Sequence, residues 1–159
     1  MNILLLGGGG REHAFAWKIS QSPLCEQLFI GPGNAGTARH GRNVALDPND
    51  FESVGRFVTR EKIDLVVVGP EEPLVRGIYD HFRDREALRT VQVIGPSAAG
   101  ARLEGSKAFA KSFMLDRNIP TAAYREFTAG QLKEGLAYID DHTTPVVLKA
   151  DGLAAGKGV

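Results

Sequence analysis

A chain of 159 residues, 43% hydrophobic and 24% charged with a formal net charge of zero, holds one full domain and part of another. Its 19 basic residues against 19 acidic ones argue against a broad electrostatic grip on nucleic acid, which needs a basic surplus. One cysteine, Cys25, excludes an internal disulfide framework and a multi-cysteine zinc site.

Residues 2–6 are a short apolar run closed by glycines, the pattern of a buried parallel strand. The run is too short for a signal peptide, and glycines stand where a cleavage site would be. No stretch approaches the ~20 apolar residues of a membrane span, so a cytoplasmic protein without membrane partners is expected. Gly7 to Gly10 form a turn, and a helix over 11–20 follows, with Pro23 beyond its end. A second strand over 28–30 is broken by Gly31-Pro32-Gly33-Asn34-Ala35-Gly36, and 44–46 reads as a short third strand. Asp50 caps a helix to about residue 60 with Phe51, Val54, Phe57 and Val58 on one face. Residues 65–68 are the clearest strand, ended by Gly69-Pro70. A helix over 74–84 and a strand over 91–94 follow, the strand ended by Gly95-Pro96.

Strands alternating with helices predict βαβ units and a parallel sheet. In such sheets ligands bind outside the carboxyl ends of the strands, where the glycine-rich turns lie. Beyond residue 96 the character changes. Helices over 98–103 and 106–118 come without a strand between them, then a strand over 123–127, a helix over 131–140 and a strand over 146–149. A domain boundary is expected between residues 96 and 121.

Four glycine-rich segments could carry chemistry. Gly7-Gly8-Gly9-Gly10-Arg11-Glu12-His13 joins strand to helix, where backbone amides and the helix N-terminus suit an anion. A dinucleotide fingerprint would need a third glycine where Glu12 or His13 stands, and a carboxylate after the second strand. Neither is present, which disfavours NAD, while anion binding survives; the alternative is a glycine turn that only packs strand against helix. Asn34, between glycines, can donate and accept, though by itself the segment is an ordinary loop. Glu71 follows a buried strand at a place suited to sugar hydroxyls, while Glu72 can equally favour a helix start. Lys149-Ala150-Asp151-Gly152 with Ala154-Ala155-Gly156-Lys157-Gly158 reads as a lysine on a strand followed by a glycine flap over nucleotide phosphates, or as a hairpin turn. It is not a Walker A loop: the spacing is one residue short, and Gly158 replaces the Ser or Thr. Ser106 can cap a helix beginning at Lys107, itself an ordinary surface lysine in isolation. The histidines His13, His40, His81 and His142 have no ligand spacing, and no metal site or nucleophile triad can be argued.

Taken in order, Gly9-Gly10-Arg11-Glu12-His13-Ala14, Pro32-Gly33-Asn34-Ala35-Gly36-Thr37, Val68-Gly69-Pro70-Glu71 with Pro73-Leu74-Val75, Leu103-Glu104-Gly105-Ser106-Lys107, and Lys149 through Val159 resemble the phosphoribosylamine–glycine ligases, an ATP-grasp family. The resemblance runs from end to end. It implies an α/β fold: a Rossmann-like parallel sheet flanked by helices over 1–96, a helical linker over 97–120, and an incomplete ATP-grasp α+β lobe over 121–159. It implies ATP-dependent ligation of glycine to 5-phosphoribosylamine through glycyl phosphate, in purine biosynthesis. Gly9, Gly10, Arg11, Glu12, Asn34 and Glu71 would line the phosphoribosylamine pocket. Lys107, Lys149, Gly152, Gly156, Lys157 and Gly158 would contact ATP. No catalytic residue and no metal ligand is assigned in this portion. The ligands of Mg²⁺ or Mn²⁺ are expected in a missing part, so the chain is expected to be an N-terminal fragment, inactive alone. The rival readings are a non-catalytic phosphosugar- or nucleotide-binding module and a related ATP-grasp carboxylase or ligase.

Overall fold

In the computed structural model, which describes residues 1–143 and 145–154, strands β1 (Asn2–Gly7), β2 (Gln27–Pro32), β3 (Arg42–Asn43), β4 (Leu65–Val68) and β5 (Gln92–Ile94) form one sheet. All pair in parallel, in the order β3-β2-β1-β4-β5. The helices are α1 (Gly10–Ile19), α2 (Phe51–Arg60), α3 (Glu71–Val75), α4 (Ile78–Asp84), α5 (Ala98–Gly105), α6 (Lys107–Asp116) and α7 (Leu132–Asp140). The chain divides into two compact units, Met1–Ala101 and Arg102–Val159.

The first unit is an α/β sheet covered on both faces, as the alternation of elements predicts. Successive side chains of a strand point to opposite faces, and β1 is apolar on both. Leu4 and Leu6 join Phe29, Val66 and Val68 in one buried cluster with Val54, Phe57 and Val58 of α2 and Ile78 and Phe82 of α4. Ile3 and Leu5 join Leu28, Ile30 and Ala16 of α1 in the other. A strand apolar on both faces has no solvent side, which explains the continuous run at residues 3–6. Asp50 caps α2 as expected, its carboxylate accepting from Ser53 N at 3.0 Å.

Four expectations are corrected. The third strand is Arg42–Asn43, not 44–46: Phe29 pairs with Arg42 and Ile30 with Asn43. Val44 and Leu46 are apolar because they pack against the core from the segment that follows. The helix expected over 74–84 is two helices, separated at Gly77, which adopts a left-handed φ of 91°. Leu74, Ile78 and Phe82 keep their four-residue spacing across the break, so periodicity alone cannot reveal it. Residues 123–127 and 146–149 are not strands among the described residues. A strand exists through its ladder, and neither segment has a pairing partner there.

In the second unit, α6 is capped by Ser106, whose hydroxyl accepts from Phe109 N at 3.1 Å. Neither α6 nor α7 has a fully buried residue among those described. No helix of the described residues is long and apolar enough to cross a membrane.

Candidate functional site

From β1 the chain moves outward to β2 and β3, then returns to the other side of β1 for β4 and β5. That reversal opens a crevice at the carboxyl ends of β1 and β4. Glu12, on the first turn of α1, lies buried in it. Its Oε2 accepts from Gly9 N at 2.7 Å and its Oε1 from Arg11 Nε at 3.1 Å. A Cβ on Gly69, at the end of β4, would stand 2.6 Å from Glu12 Cγ, so only glycine lets the two strand ends close on this side chain. Arg11 reaches the other way to Glu71 Oε2 at 3.3 Å, bridging the loops after β1 and β4. The hydrogen bond to Glu12, opposed by partial burial and reinforced by Glu71, raises the Arg11 pKa above its ordinary value. The guanidinium therefore stays charged at the mouth of the crevice.

Asn34 enters from the loop after β2. Its Nδ2 donates to Gly8 O at 2.9 Å and Gly9 O at 3.3 Å, while its Oδ1 accepts from Gly36 N at 2.7 Å and Thr37 N at 3.0 Å. The Gly8–Gly9 peptide is thus held on both sides, its carbonyl by Asn34 and its N–H by Glu12. Gly9 O accepts from His13 N within the first helical turn. The N–H groups of Gly10 and Arg11 have no acceptor among the described residues, as at any open helix N-terminus. Nothing lies within 4 Å of where a Cβ on Gly10 would stand.

The six residues expected around a phosphosugar, Gly9, Gly10, Arg11, Glu12, Asn34 and Glu71, are therefore brought to one sheet edge. Their parts differ from one another. Glu12 and Asn34 spend their polar atoms on the chain itself, while Arg11 and the Gly10 amide face outward. Sequence reasoning gave no part to Thr37, fully buried behind Asn34, or to Asn43 on β3. The Asn34-x-x-Thr37 spacing is the available signal, since Asn and Thr at such intervals close local side-chain turns; for Asn43 the sequence carries none.

In the second unit the residues expected around ATP are placed separately. Lys107 Nζ donates to Gly152 O at 2.7 Å. Lys149 is exposed and makes no ion pair or side-chain hydrogen bond among the described residues. Gly156, Lys157 and Gly158 lie outside the described residues. Asp151, which sequence reasoning passed over, caps α6: its carboxylate accepts from Lys107 N at 2.6 Å, Ala108 N at 3.3 Å and Ser106 Oγ at 3.1 Å. Burial opposes its ionisation, but the hydrogen bonds from Ala108, Gly152, Ser106 and Lys107 prevail and lower its pKa. Among the described residues no three of His, Cys, Asp and Glu converge to hold a metal ion.

Residues 1–104 match the family model described as phosphoribosylglycinamide synthetase, N domain, and residues 105–159 match phosphoribosylglycinamide synthetase, ATP-grasp (A) domain. The chain belongs to the phosphoribosylglycinamide synthetase family. It is similar to the phosphoribosylamine–glycine ligase of Escherichia coli (strain K12), at 51% identity over 161 residues, covering 100% of this chain and 36% of that protein. The phosphoribosylamine–glycine ligase of Mesorhizobium japonicum is 54% identical over 159 residues, with the same coverage. The crystal structure of the Thermotoga maritima phosphoribosylamine–glycine ligase matches at a TM-score of 0.68 and 33% identity, over 99% of this chain and 35% of that one. N5-carboxyaminoimidazole ribonucleotide synthetase from the same organism shares the fold, at a TM-score of 0.59 and 14% identity. The chain spans about a third of the length of the relatives it matches. The family resemblance and the α/β parallel-sheet fold read from the sequence are both borne out.

Proposed function

We propose that this chain supplies the phosphosugar-binding edge and part of the nucleotide lobe of a cytoplasmic enzyme of purine biosynthesis. That enzyme joins glycine to 5-phosphoribosylamine at the expense of ATP, giving glycinamide ribonucleotide, ADP and phosphate through glycyl phosphate. The observation that carries the reading is the clamped Gly8–Gly9 peptide, next to which the Gly10 and Arg11 N–H groups have no acceptor among the described residues and the charged Arg11 guanidinium stands. Helix N-terminal amides together with a fixed cation suit a phosphate monoester. The Glu71 carboxylate is half-exposed at the same mouth, where it can accept from sugar hydroxyls or from the amine.

The residues divide the work. Residues 1–96 hold the phosphosugar, residues 97–120 connect, and residues 121–159 begin the part that grips ATP. Lys107 and Lys149 would neutralise phosphate charge, with Gly152 beside Lys107; Gly156, Lys157 and Gly158, which would also contact ATP, lie outside the described residues. Chemistry of this kind rests on positioning and charge neutralisation, with little need for a protein nucleophile. An ATP-grasp ligase also uses Mg²⁺ or Mn²⁺. The described residues offer no donor set that fits one.

The test uses the protein in its natural full length. Arg11→Ala should raise the KM for freshly made phosphoribosylamine by at least about tenfold, the scale of one lost charge-assisted contact of ~1.5–3 kcal/mol. The KM for ATP should stay within about twofold. An unchanged phosphoribosylamine KM would remove Arg11, and with it this edge, from the phosphosugar site.

A further inference from the structure

Asn34 is so placed that its own position must come from elsewhere. All four of its side-chain hydrogen bonds go to backbone groups of the glycine loops. Its main chain is held in turn: its N–H donates to Thr37 Oγ1 at 2.7 Å, and its carbonyl accepts from Asn43 Nδ2 at 2.7 Å. Thr37 Oγ1 stands 2.7 Å from Asn43 Oδ1 and 2.9 Å from Asn34 O. A hydroxyl has one proton. Asn34 O already receives one from Asn43, whereas Asn43 Oδ1 has no other donor among the described residues. The proton therefore goes to Asn43, and Asn34, Thr37 and Asn43 close a ring in which each polar atom is satisfied.

The ring is anchored to the sheet. Asn43, on β3, pairs with Ile30 of β2, and Val44 N donates to Ile30 O at 2.8 Å. There is no slack between the anchor and the loop. A Cβ on Gly33 would stand 2.5 Å from Asn43 Cγ, and Thr37 is fully buried. The edge strand thus fixes Thr37 and the Asn34 backbone. Asn34 fixes the Gly8–Gly9 carbonyls, and those peptides set the direction of the free amides at the start of α1.

We infer that Asn43 and Thr37 are positioning residues for phosphosugar binding: neither faces the open edge, and both aim the helix N-terminal amides through Asn34. The inference rests on the phosphosugar reading of this edge. Losing the Thr37 hydroxyl leaves Asn34 N and Asn43 Oδ1 without their protein partner at a partly buried place, and the loop must shift to find others.

The experiment compares Thr37→Val, Thr37→Ser, Asn43→Ala and Arg11→Ala in the natural full-length protein, by steady-state kinetics and by the amide NMR signals of Gly8, Gly9 and Gly10. Thr37→Val and Asn43→Ala should raise the phosphoribosylamine KM about tenfold, the effect of one broken buried hydrogen bond, and should move the three glycine signals. The KM for ATP should hold within about twofold, and Thr37→Ser, which keeps the hydroxyl, should behave like the parent. If Thr37→Val does not fold, Asn43→Ala and Thr37→Ser carry the same comparison. A Thr37→Ser protein as impaired as Asn43→Ala, or KM values for both substrates rising together, would overturn the inference in favour of a merely structural role. Unchanged kinetics in the ring variants with an impaired Arg11→Ala would overturn it while leaving the site intact. Unchanged kinetics in all four, Arg11→Ala included, would show that the phosphosugar reading itself has failed.

Discussion

The two units of this chain use their apolar residues in different ways. In Met1–Ala101, β1 is buried on both faces, and α2 and α4 send Val54, Phe57, Val58, Ile78 and Phe82 into one closed cluster. In Arg102–Val159, α6 and α7 bury nothing fully among the described residues, and Leu115, Leu132, Leu136, Val147 and Leu148 are exposed. The polar contacts differ as well. In the first unit they converge on one sheet edge, tying the loops after three strands together. In the second they converge on the start of one helix, through Asp151. A closed core can hold a site rigid to within tenths of an ångström, because packed interiors have few alternative arrangements.

The largest expected effect that would break this contrast is a pair of truncations. Leu5→Ala, at a wholly buried position, should cost about 2–5 kcal/mol by urea denaturation. Leu136→Ala, at a half-exposed one, should stay within about 0.5 kcal/mol. Equal losses would mean that α7 has a core of its own.

A smaller effect is expected from two glycines. Gly69→Ala drives a Cβ into Glu12 and should cost about 1–3 kcal/mol, measured by thermal unfolding. Gly130→Ala, whose Cβ would have its nearest neighbour 3.9 Å away at Thr128 Oγ1, should be within about 0.5 kcal/mol of the parent. In a Glu12→Ala background the Gly69 penalty should shrink, because the two groups share one space.

The smallest effect sharpens the contrast through pH. Hydrogen bonds from the Ser53 side chain and backbone lower the Asp50 pKa, and the bonds to Asp151 outweigh its desolvation to do the same. A carboxylate whose pKa is depressed by folding adds stability above its unfolded value of about 3.9, and loses it as the pH falls through the folded value. The Tm gap between the parent and Asp50→Ala should therefore be present at neutral pH and close on strong acidification. For Asp151 the readout is local: protection of the Lys107 and Ala108 amides from exchange should drop over the same acid range. Protection there that ignores pH would remove Asp151 as the cap of α6.

The sequence was most legible where one physical rule decided the outcome. Residues 65–68 and 3–6 are apolar on both faces, so only a covered parallel sheet suits them, and Asp50 before an amphipathic run can only begin a helix. It was least legible where two rules overlapped. Spacing at Leu74, Ile78 and Phe82 continues through Gly77 because two short helices bury the same face that one long helix would. Val44 and Leu46 look like a strand because burial, not pairing, selects their apolarity. At the site, the family resemblance singled out Arg11, Glu12, Asn34 and Glu71, and the fold brings these four to one sheet edge. Which side chains face outward was not legible, since that depends on partners as distant in sequence as Glu71 from Arg11 and Gly8 from Asn34. Thr37 was within reach through its spacing from Asn34, whereas Asn43 was not, since its contact with Thr37 follows from the turn into β3.

The strand order has a consequence for synthesis. β1 is central, yet its two neighbours reach it at very different times. β2 follows within one helix, whereas β4 must wait; Asn2 and its partner Asp64 are 62 residues apart. At translation rates of about 5–20 residues per second, the nascent chain carries an uncovered Ile3-Leu4-Leu5-Leu6 segment for several seconds before β4 emerges. During that interval the strand destined for the centre of the sheet has an unpaired edge, the state in which a polypeptide is most prone to join another. The part of the molecule that ends as its most protected strand thus passes through its most vulnerable state during synthesis.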